Sequence, residues 1–235
     1  GFVAFPYFYS DTDPNAWLRI YLLLAGLVAL SFLILLFSKF NIKYEIPGTS
    51  IKNDFIQMMG LMKRPLVLVF VVAAFMYVMT EQGIMSWTPV FNEKVMLLPE
   101  KTSIYMTIIL FLSIALGRYI SSLLVKKISW LVILLFCLIG AALMIIFILP
   151  ETQKLTPKKI SSLGHVPMIA YVFPLIGFFF APIYPMINSF VLSATEKKFH
   201  SPMASLLVFF SAIGGTFGSR LVGYLFKNIG AQKAF

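Results

Sequence analysis

Residues 131–149 read LVILLFCLIGAALMIIFIL, a stretch that contains no charged side chain. A helix needs about 20 apolar residues to cross a hydrocarbon core of about 30 Å. The run Ser129–Leu149, which contains this stretch, has the required length and is therefore predicted to span a membrane as a helix. A transmembrane barrel strand would instead alternate polar and apolar residues over about ten positions, so the stretch predicts an all-α membrane fold.

Five more runs of the same kind flank this one along the chain. The second run begins with Pro65, at the helix turn where a missing N–H costs nothing, and Asp13 or Asn15 suits the N-cap of the first run. The six predicted spans are Trp17–Ser38, Pro65–Phe91, Thr102–Val125, Ser129–Leu149, Val166–Ala194 and Pro202–Phe226. The sequence therefore predicts a polytopic bundle of six transmembrane helices.

The composition agrees with a membrane environment. Hydrophobic residues make up 60% of the 235 positions and charged residues 12%, whereas soluble domains carry about 25% charged residues. A soluble protein of this size could not cover so much apolar surface. The formal net charge is +10, but the basic residues cluster between the apolar runs, as in helices that face anionic lipid. The lipid bilayer is the expected partner, and nucleic acid is not.

The motifs of soluble enzymes are missing from the sequence. We find no phosphate-binding loop, no zinc-protease His-Glu-x-x-His motif and no nucleophile elbow. The single cysteine, Cys137, has apolar neighbours and is predicted to be a packing thiol, and His165 and His200 have no ligand spacing. The sequence thus predicts a protein that is not an enzyme and has no metal and no cofactor.

Glu81 lies well inside the second apolar run. It is about 24 Å from Pro65 at the helical rise of 1.5 Å per residue, and a carboxylate at such depth costs about 2.5–3.5 kcal/mol. We therefore expect Glu81 to face protein or water, as a hydrogen-bond acceptor for a substrate or as a protonation site. The alternative is a structural acid that pairs with a cation or a neighbouring helix.

Polar and helix-weakening residues surround Glu81. Tyr77 shares its helix face, and Gln82 lies on the adjacent face. Gly83 and Pro89 are expected to weaken the helix locally and to free backbone groups that line a cavity. Trp87 suits stacking under a sugar ring, although an interfacial anchor would use the same residue.

The fifth run combines polar side chains with helix breakers. Tyr184 and Asn188 are one turn apart, beside Pro182 and Pro185. A buried amide needs a partner, either on another helix or on a substrate hydroxyl. The last run carries closely spaced small residues that permit close helix approach: Gly214, Gly215, Gly218, Ser219 and Gly223.

Two short stretches resemble the major facilitator superfamily. Gly117-Arg118-Tyr119, followed by Lys126-Lys127, resembles the cytoplasmic loop between helices 8 and 9 of that superfamily, although snorkelling at the interface would also explain these cations. Residues 77–87, YVMTEQGIMSW, resemble helix 7 of its fucose–galactose–proton symporter family. The resemblance implies a twelve-helix fold of two halves with alternating access around a midplane site.

On this resemblance the six runs correspond to helices 6 to 11, and the second half lacks its last helix. Residues 1–38 would be an outer loop and the last helix of the N-terminal half, 39–64 a cytoplasmic loop between the halves, and 65–235 a truncated C-terminal half of five helices. The dense basic residues of 39–64 favour the cytoplasmic side. The chain starts without methionine or a signal peptide, so it is expected to be a piece of a longer protein.

The predicted function is secondary active transport of a small polar solute, a sugar, with proton symport in the bacterial inner membrane. The predicted substrate-binding residues are Tyr77, Glu81, Gln82, Trp87, Tyr184 and Asn188. Sugar hydroxyls need both donors and acceptors, which this set supplies. The alternatives are a drug or organic-anion porter and a non-transporting membrane scaffold. An anion site would need a cation at mid-depth, whereas Arg118 and Arg220 are expected nearer the helix ends.

Overall fold

The computed structural model describes residues 18–38, 51–152, 154–155, 166–231 and 233–234, and these residues contain helices and turns but no strand. The helices are α1 (Leu18–Phe37), α2 (Ile51–Gly60), α3 (Pro65–Lys94), α4 (Glu100–Leu124), α5 (Trp130–Thr152), α6 (Met168–Val172), α7 (Ile176–Phe180), α8 (Ile183–Ser193) and α9 (His200–Ile229). Six helical segments are long and apolar enough to cross a membrane. This confirms the predicted all-α fold with six spans.

The chain divides into two compact units, and α1 belongs to the first, which ends at Thr49. Helix α1 is apolar except for Ser31, besides Arg19 and Tyr21 at its start, and Ser38 follows its last residue. The hydroxyls of Ser31 and Ser38 donate to the carbonyls of Leu27 and Ile34, one turn back, so lipid need not solvate them. The predicted caps Asp13 and Asn15, and residues 39–50 of the predicted loop, lie outside the described residues.

In the second unit, α3 and α9 run parallel and form the most extensive helix pair. A Cβ at Gly214 would overlap the Phe75 carbonyl, and one at Gly218 would overlap the Met79 carbonyl. These two contacts repeat at four-residue intervals on both helices, so the small residues let the backbones touch. Close packing of this kind replaces the hydrophobic effect, which does not drive helix association in lipid.

Replacing Gly218 with alanine is expected to destabilise the protein by about 1–3 kcal/mol, because overpacking forces backbone shifts. The new methyl group would meet the Met79 carbonyl, which cannot move as a side chain can. The thermal midpoint of the purified protein, followed by circular dichroism, should fall. Gly26→Ala on α1 is the matched control, since a Cβ there meets nothing within 4 Å. Equal midpoints for the two variants would contradict this packing.

Helix α4 runs antiparallel to α3 and is bonded to it near one end. The Ser103 hydroxyl donates to the Pro89 carbonyl at 2.9 Å, and the Asn92 amide donates to the Ser103 carbonyl at 3.3 Å. Gly83 and Pro89 do not break α3, which continues through both to Lys94. Gly83 instead lies against Val222.

The opposite end of this unit gathers basic residues. The Trp130 ring packs on Phe190 at 4.1 Å, and Phe190 packs on Phe70, so the turn with Lys126 and Lys127 lies at the same end as the start of α3. Two short 3-10 turns, Leu61–Lys63 and Lys197–Phe199, contribute more cations there. The Arg64 guanidinium lies 4.8 Å from the centre of the Phe199 ring.

Glu196, which precedes the 3-10 turn Lys197–Phe199 at this end, forms an ion pair with Lys198. Lys198 Nζ lies 2.6 Å from Glu196 Oε2, and this hydrogen bond lowers the pKa of the Glu196 carboxyl. Both side chains are exposed, and exposed ion pairs contribute little to stability. The end therefore keeps a positive character.

The fifth span is broken into segments rather than one continuous helix. Helices α6 and α7 are joined by the 3-10 turn Phe173–Leu175, and a turn at Ala181 and Pro182 separates α7 from α8. Proline supplies no backbone N–H, so each proline leaves a carbonyl without its helical donor. Such breaks are tolerated at membrane depth only where protein or water satisfies the freed groups.

Candidate functional site

Glu81 is buried on α3, with 8% of its surface exposed. Its Oε1 atom lies 2.9 Å from the Tyr77 hydroxyl oxygen, one turn earlier on the same helix. The Arg118 Nη2 atom of α4 lies 3.9 Å from the same oxygen. Two helices thus surround the carboxylate with a hydroxyl and a cation, which offsets part of its insertion cost.

The broken fifth span meets this group directly. The Tyr77 hydroxyl lies 2.6 Å from the carbonyl oxygen of Phe180, the last residue of α7. Pro182 removes the donor that would serve the Phe178 carbonyl, and Gly117 of α4 lies closely against that carbonyl. At this break, α3 therefore bonds to α7 through the Tyr77 hydroxyl, and α4 packs closely against α7 at Gly117.

Tyr77 has one proton for two contacts, since a phenol carries a single O–H. The Phe180 carbonyl can only accept, and its contact is the shorter of the two. When Tyr77 donates to this carbonyl, its contact with Glu81 is a hydrogen bond only if the carboxyl group donates. The two contacts can therefore both be hydrogen bonds only when Glu81 carries a proton.

An open cavity of about 610 Å³ lies beside Glu81. This volume falls within the range of about 300–1,000 Å³ for small-molecule sites. The cavity is formed by helices α3, α4, α8 and α9. Its lining residues are Val78, Glu81, Gln82, Arg118, Tyr184, Val208, Ser211, Ala212, Gly215 and Thr216.

The structure brings four of the six predicted binding residues together. Glu81, Gln82 and Tyr184 line the cavity, and Tyr77 lies behind them with its ring stacked on that of Tyr184 at 6.2 Å. The Ser211 hydroxyl donates to the Tyr184 hydroxyl oxygen at 3.1 Å. The cavity wall therefore combines a carboxyl group, an amide and hydroxyl groups.

The other two predicted residues lie elsewhere. The Trp87 indole N–H donates to the Ser219 carbonyl at 2.8 Å, and its ring packs on Phe226. The expectation that Trp87 lines this cavity is therefore wrong, because its ring and its donor are used between α3 and α9. Asn188 does not line the cavity, and its buried Oδ1 has no hydrogen-bond partner among the described residues.

Sequence reasoning missed the position of Arg118. The resemblance placed Gly117 and Arg118 in a loop, but both lie inside α4, which ends at Leu124, and only Lys126 and Lys127 follow the helix. Arg118 lines the cavity beside Glu81 and also a second cavity of about 490 Å³ nearer the basic end. Arg118 lies about 9 Å before the helix end at 1.5 Å per residue. The predicted span Thr102–Val125 already contained Arg118, but nothing in the sequence indicated that its side chain reaches Glu81.

These observations define a polytopic membrane protein with an open cavity between its helices that is lined in part by polar side chains, as in transporters. The family model described as Major Facilitator Superfamily matches residues 1–219, and the chain belongs to this superfamily. It is therefore a multi-pass secondary transporter of a small-molecule substrate. Searches among curated proteins and among solved structures found no match.

Proposed function

We propose that this transporter moves a sugar across a bacterial inner membrane by alternating access, together with a proton. The resemblance of residues 77–87 to the fucose–galactose–proton symporters supports this class. The observation that carries the proposal is the convergence of Glu81, Gln82 and Tyr184 on one open cavity with the volume of a small-molecule site.

The wall chemistry suits a polyhydroxylated solute. Each sugar hydroxyl donates one hydrogen bond and accepts others. Gln82 offers both a donor and an acceptor. The Tyr184 hydroxyl, which accepts from Ser211, can donate to a solute, and the Thr216 hydroxyl, which donates to the Ala212 carbonyl, can accept. Apolar contacts come from Val78 and Val208, which suit the C–H faces of a sugar ring. A drug-like apolar solute would leave these polar groups unpaired, at a cost of about 1–3 kcal/mol for each group.

The proton-coupling part of the proposal rests on Glu81. When Glu81 is protonated, its carboxyl group can donate to the Tyr77 hydroxyl while Tyr77 donates to the Phe180 carbonyl. When Glu81 is ionised, the nearby positive charge of Arg118 stabilises it. A carboxyl group with a suitable environment in both states can take up and release a proton during each cycle. Glu81 is thereby the proposed coupling site.

Uptake of a panel of radiolabelled sugars by proteoliposomes, with the intact protein and an acidic exterior, tests the proposal. One pH unit is worth about 1.36 kcal/mol, so coupling to one proton should concentrate the solute up to about tenfold. Collapsing the gradient with an ionophore should reduce the ratio to about one. Failure of every sugar in the panel would overturn the proposed substrate class, and a ratio insensitive to the ionophore would overturn proton coupling.

A further inference from the structure

We infer that Arg118 binds a carboxylate of the transported solute, so that the substrate is an acidic sugar such as a hexuronate. This inference rests on the proposed function and names its substrate class more narrowly.

The Arg118 guanidinium has N–H donors that make no hydrogen bond to the described residues. It carries five N–H groups, and its contact with Glu81 is 3.9 Å, beyond the 2.7–3.2 Å of a hydrogen bond. No described residue accepts a hydrogen bond from it, and its side chain is 53% exposed. A planar guanidinium binds a carboxylate through two parallel hydrogen bonds, which is the ligand chemistry that this arrangement suits.

Arg118 lines both cavities. It lines the cavity that contains Gln82 and Tyr184, and it lines the second cavity toward the basic end. Four serines also line the second cavity: Ser121, Ser122, Ser189 and Ser193. A solute that bears both hydroxyls and a carboxylate would find complementary groups in each cavity. Arg118 is thus placed to bind the carboxylate of a solute whose hydroxyl groups occupy the first cavity.

Glu81 and the solute carboxylate would compete for Arg118. With Glu81 ionised, the pair has no net charge. A proton from solvent neutralises Glu81 by forming its O–H bond, and the new O–H donates to Tyr77. Arg118 then has an uncompensated positive charge and binds one carboxylate, so that one proton and one monoanion move together without net charge.

Few other titratable groups face this pair. Tyr77 faces Glu81 from its own helix, Tyr184 lines the cavity from α8, and Cys137 of α5 lies beyond Tyr77. Helix α9 contributes hydroxyls, and α7 contributes the Phe180 carbonyl. In the described residues around the cavity, Arg118 is therefore the group that can bind an anion.

The test compares uptake of a neutral hexose and a hexuronate by the intact transporter in proteoliposomes. We expect the hexuronate to be taken up with the lower KM. Arg118→Gln should raise that KM by about 10- to 100-fold, since hydrogen bonds to charged groups are worth about 1.5–3 kcal/mol, and this rise should exceed any change in the KM of the neutral sugar. Arg118→Lys should give an intermediate value, because the charge remains without the planar fork.

Arg220→Gln is the matched control, an arginine in a spanning helix that lines neither of the two cavities. It should leave both KM values unchanged. Thermal melting of each variant, followed by circular dichroism, separates loss of folding from loss of hexuronate binding. If Arg118→Gln does not fold, the hexuronate KM of Arg118→Lys is the test. Uptake of the neutral sugar alone, or an unchanged hexuronate KM in the folded Arg118 variants, would overturn the inference and leave the proposed function standing. No uptake of either sugar would overturn both.

The pH dependence of hexuronate binding is a second measurement. It distinguishes binding by Arg118 from a purely structural role, which predicts no change in binding with pH. Binding should tighten as the pH falls from 7.5 to 5.5, because protonation of Glu81 frees Arg118 while the solute keeps its charge. In Glu81→Gln the binding should be as tight at both pH values as in the wild type at low pH. Wild-type binding that is independent of pH would contradict the competition.

Discussion

Proton-driven accumulation is expected to collapse when Glu81 is replaced by glutamine. Under a gradient of one pH unit the wild type should concentrate its sugar up to about tenfold, whereas the variant should only equilibrate it. The reason is chemical, since an amide has almost the same shape as a carboxyl group but cannot take up and release a proton. Initial uptake and the final accumulation ratio in proteoliposomes are the measurements.

Folding should survive this substitution. The glutamine side chain can keep a hydrogen bond with Tyr77, and removing the carboxylate removes a charge that is expensive in a membrane. Glu93→Gln is the matched control, because Glu93 is the other acid of α3 and lies near its end. Lost accumulation with retained binding would identify Glu81 as the coupling acid, and lost binding would identify it as a substrate ligand. Normal transport by the variant would reject both roles.

Replacing Tyr77 with phenylalanine should have the largest effect on stability. The hydroxyl lies between the Phe180 carbonyl and Glu81, so its loss leaves two polar groups short of a partner. Each buried group left unsatisfied costs about 1–3 kcal/mol. We expect a clearly lower thermal midpoint, and lower accumulation because the protonated carboxyl loses its acceptor.

Tyr224→Phe is the control for this change, because Tyr224 is 65% exposed on α9. It removes the same hydroxyl without opening a buried contact. A midpoint for Tyr77→Phe that equals that of Tyr224→Phe would show that the Phe180 carbonyl does not depend on the phenol.

The spans could be predicted from the sequence because a membrane imposes a length and an apolar composition on each helix. The breaks were harder to place. Pro89 and Pro182 look alike in sequence, yet α3 passes through Pro89, while the fifth span breaks at Pro182. The local sequence does not distinguish the two prolines, because the path of the backbone at each also depends on contacts with neighbouring helices, such as that of Gly117 with the Phe178 carbonyl.

The same limit applies to the site. Glu81 stood out because a lone acid in an apolar run must find partners, and Tyr77 and Gln82 followed from helical spacing. Trp87 has equally suitable chemistry, but its indole N–H donates to Ser219. Arg118 was expected near the end of the third span, as part of a basic motif with Lys126 and Lys127, whereas its side chain reaches Glu81 from inside α4. The positions of residues on their helix faces therefore suggested the candidates. Packing between helices determines which of them line the cavity.

The central claim is that the cavity beside Glu81 carries a solute together with a proton. The most direct measurement is a pH-electrode recording of lightly buffered proteoliposomes at the moment a transported sugar is added. We expect the medium to become alkaline as protons enter with the solute, and an ionophore to abolish the signal. Glu81→Gln should show no signal, and Glu93→Gln should match the wild type. Solute uptake without alkalinisation, or an undiminished signal in Glu81→Gln, would contradict coupled transport through this cavity.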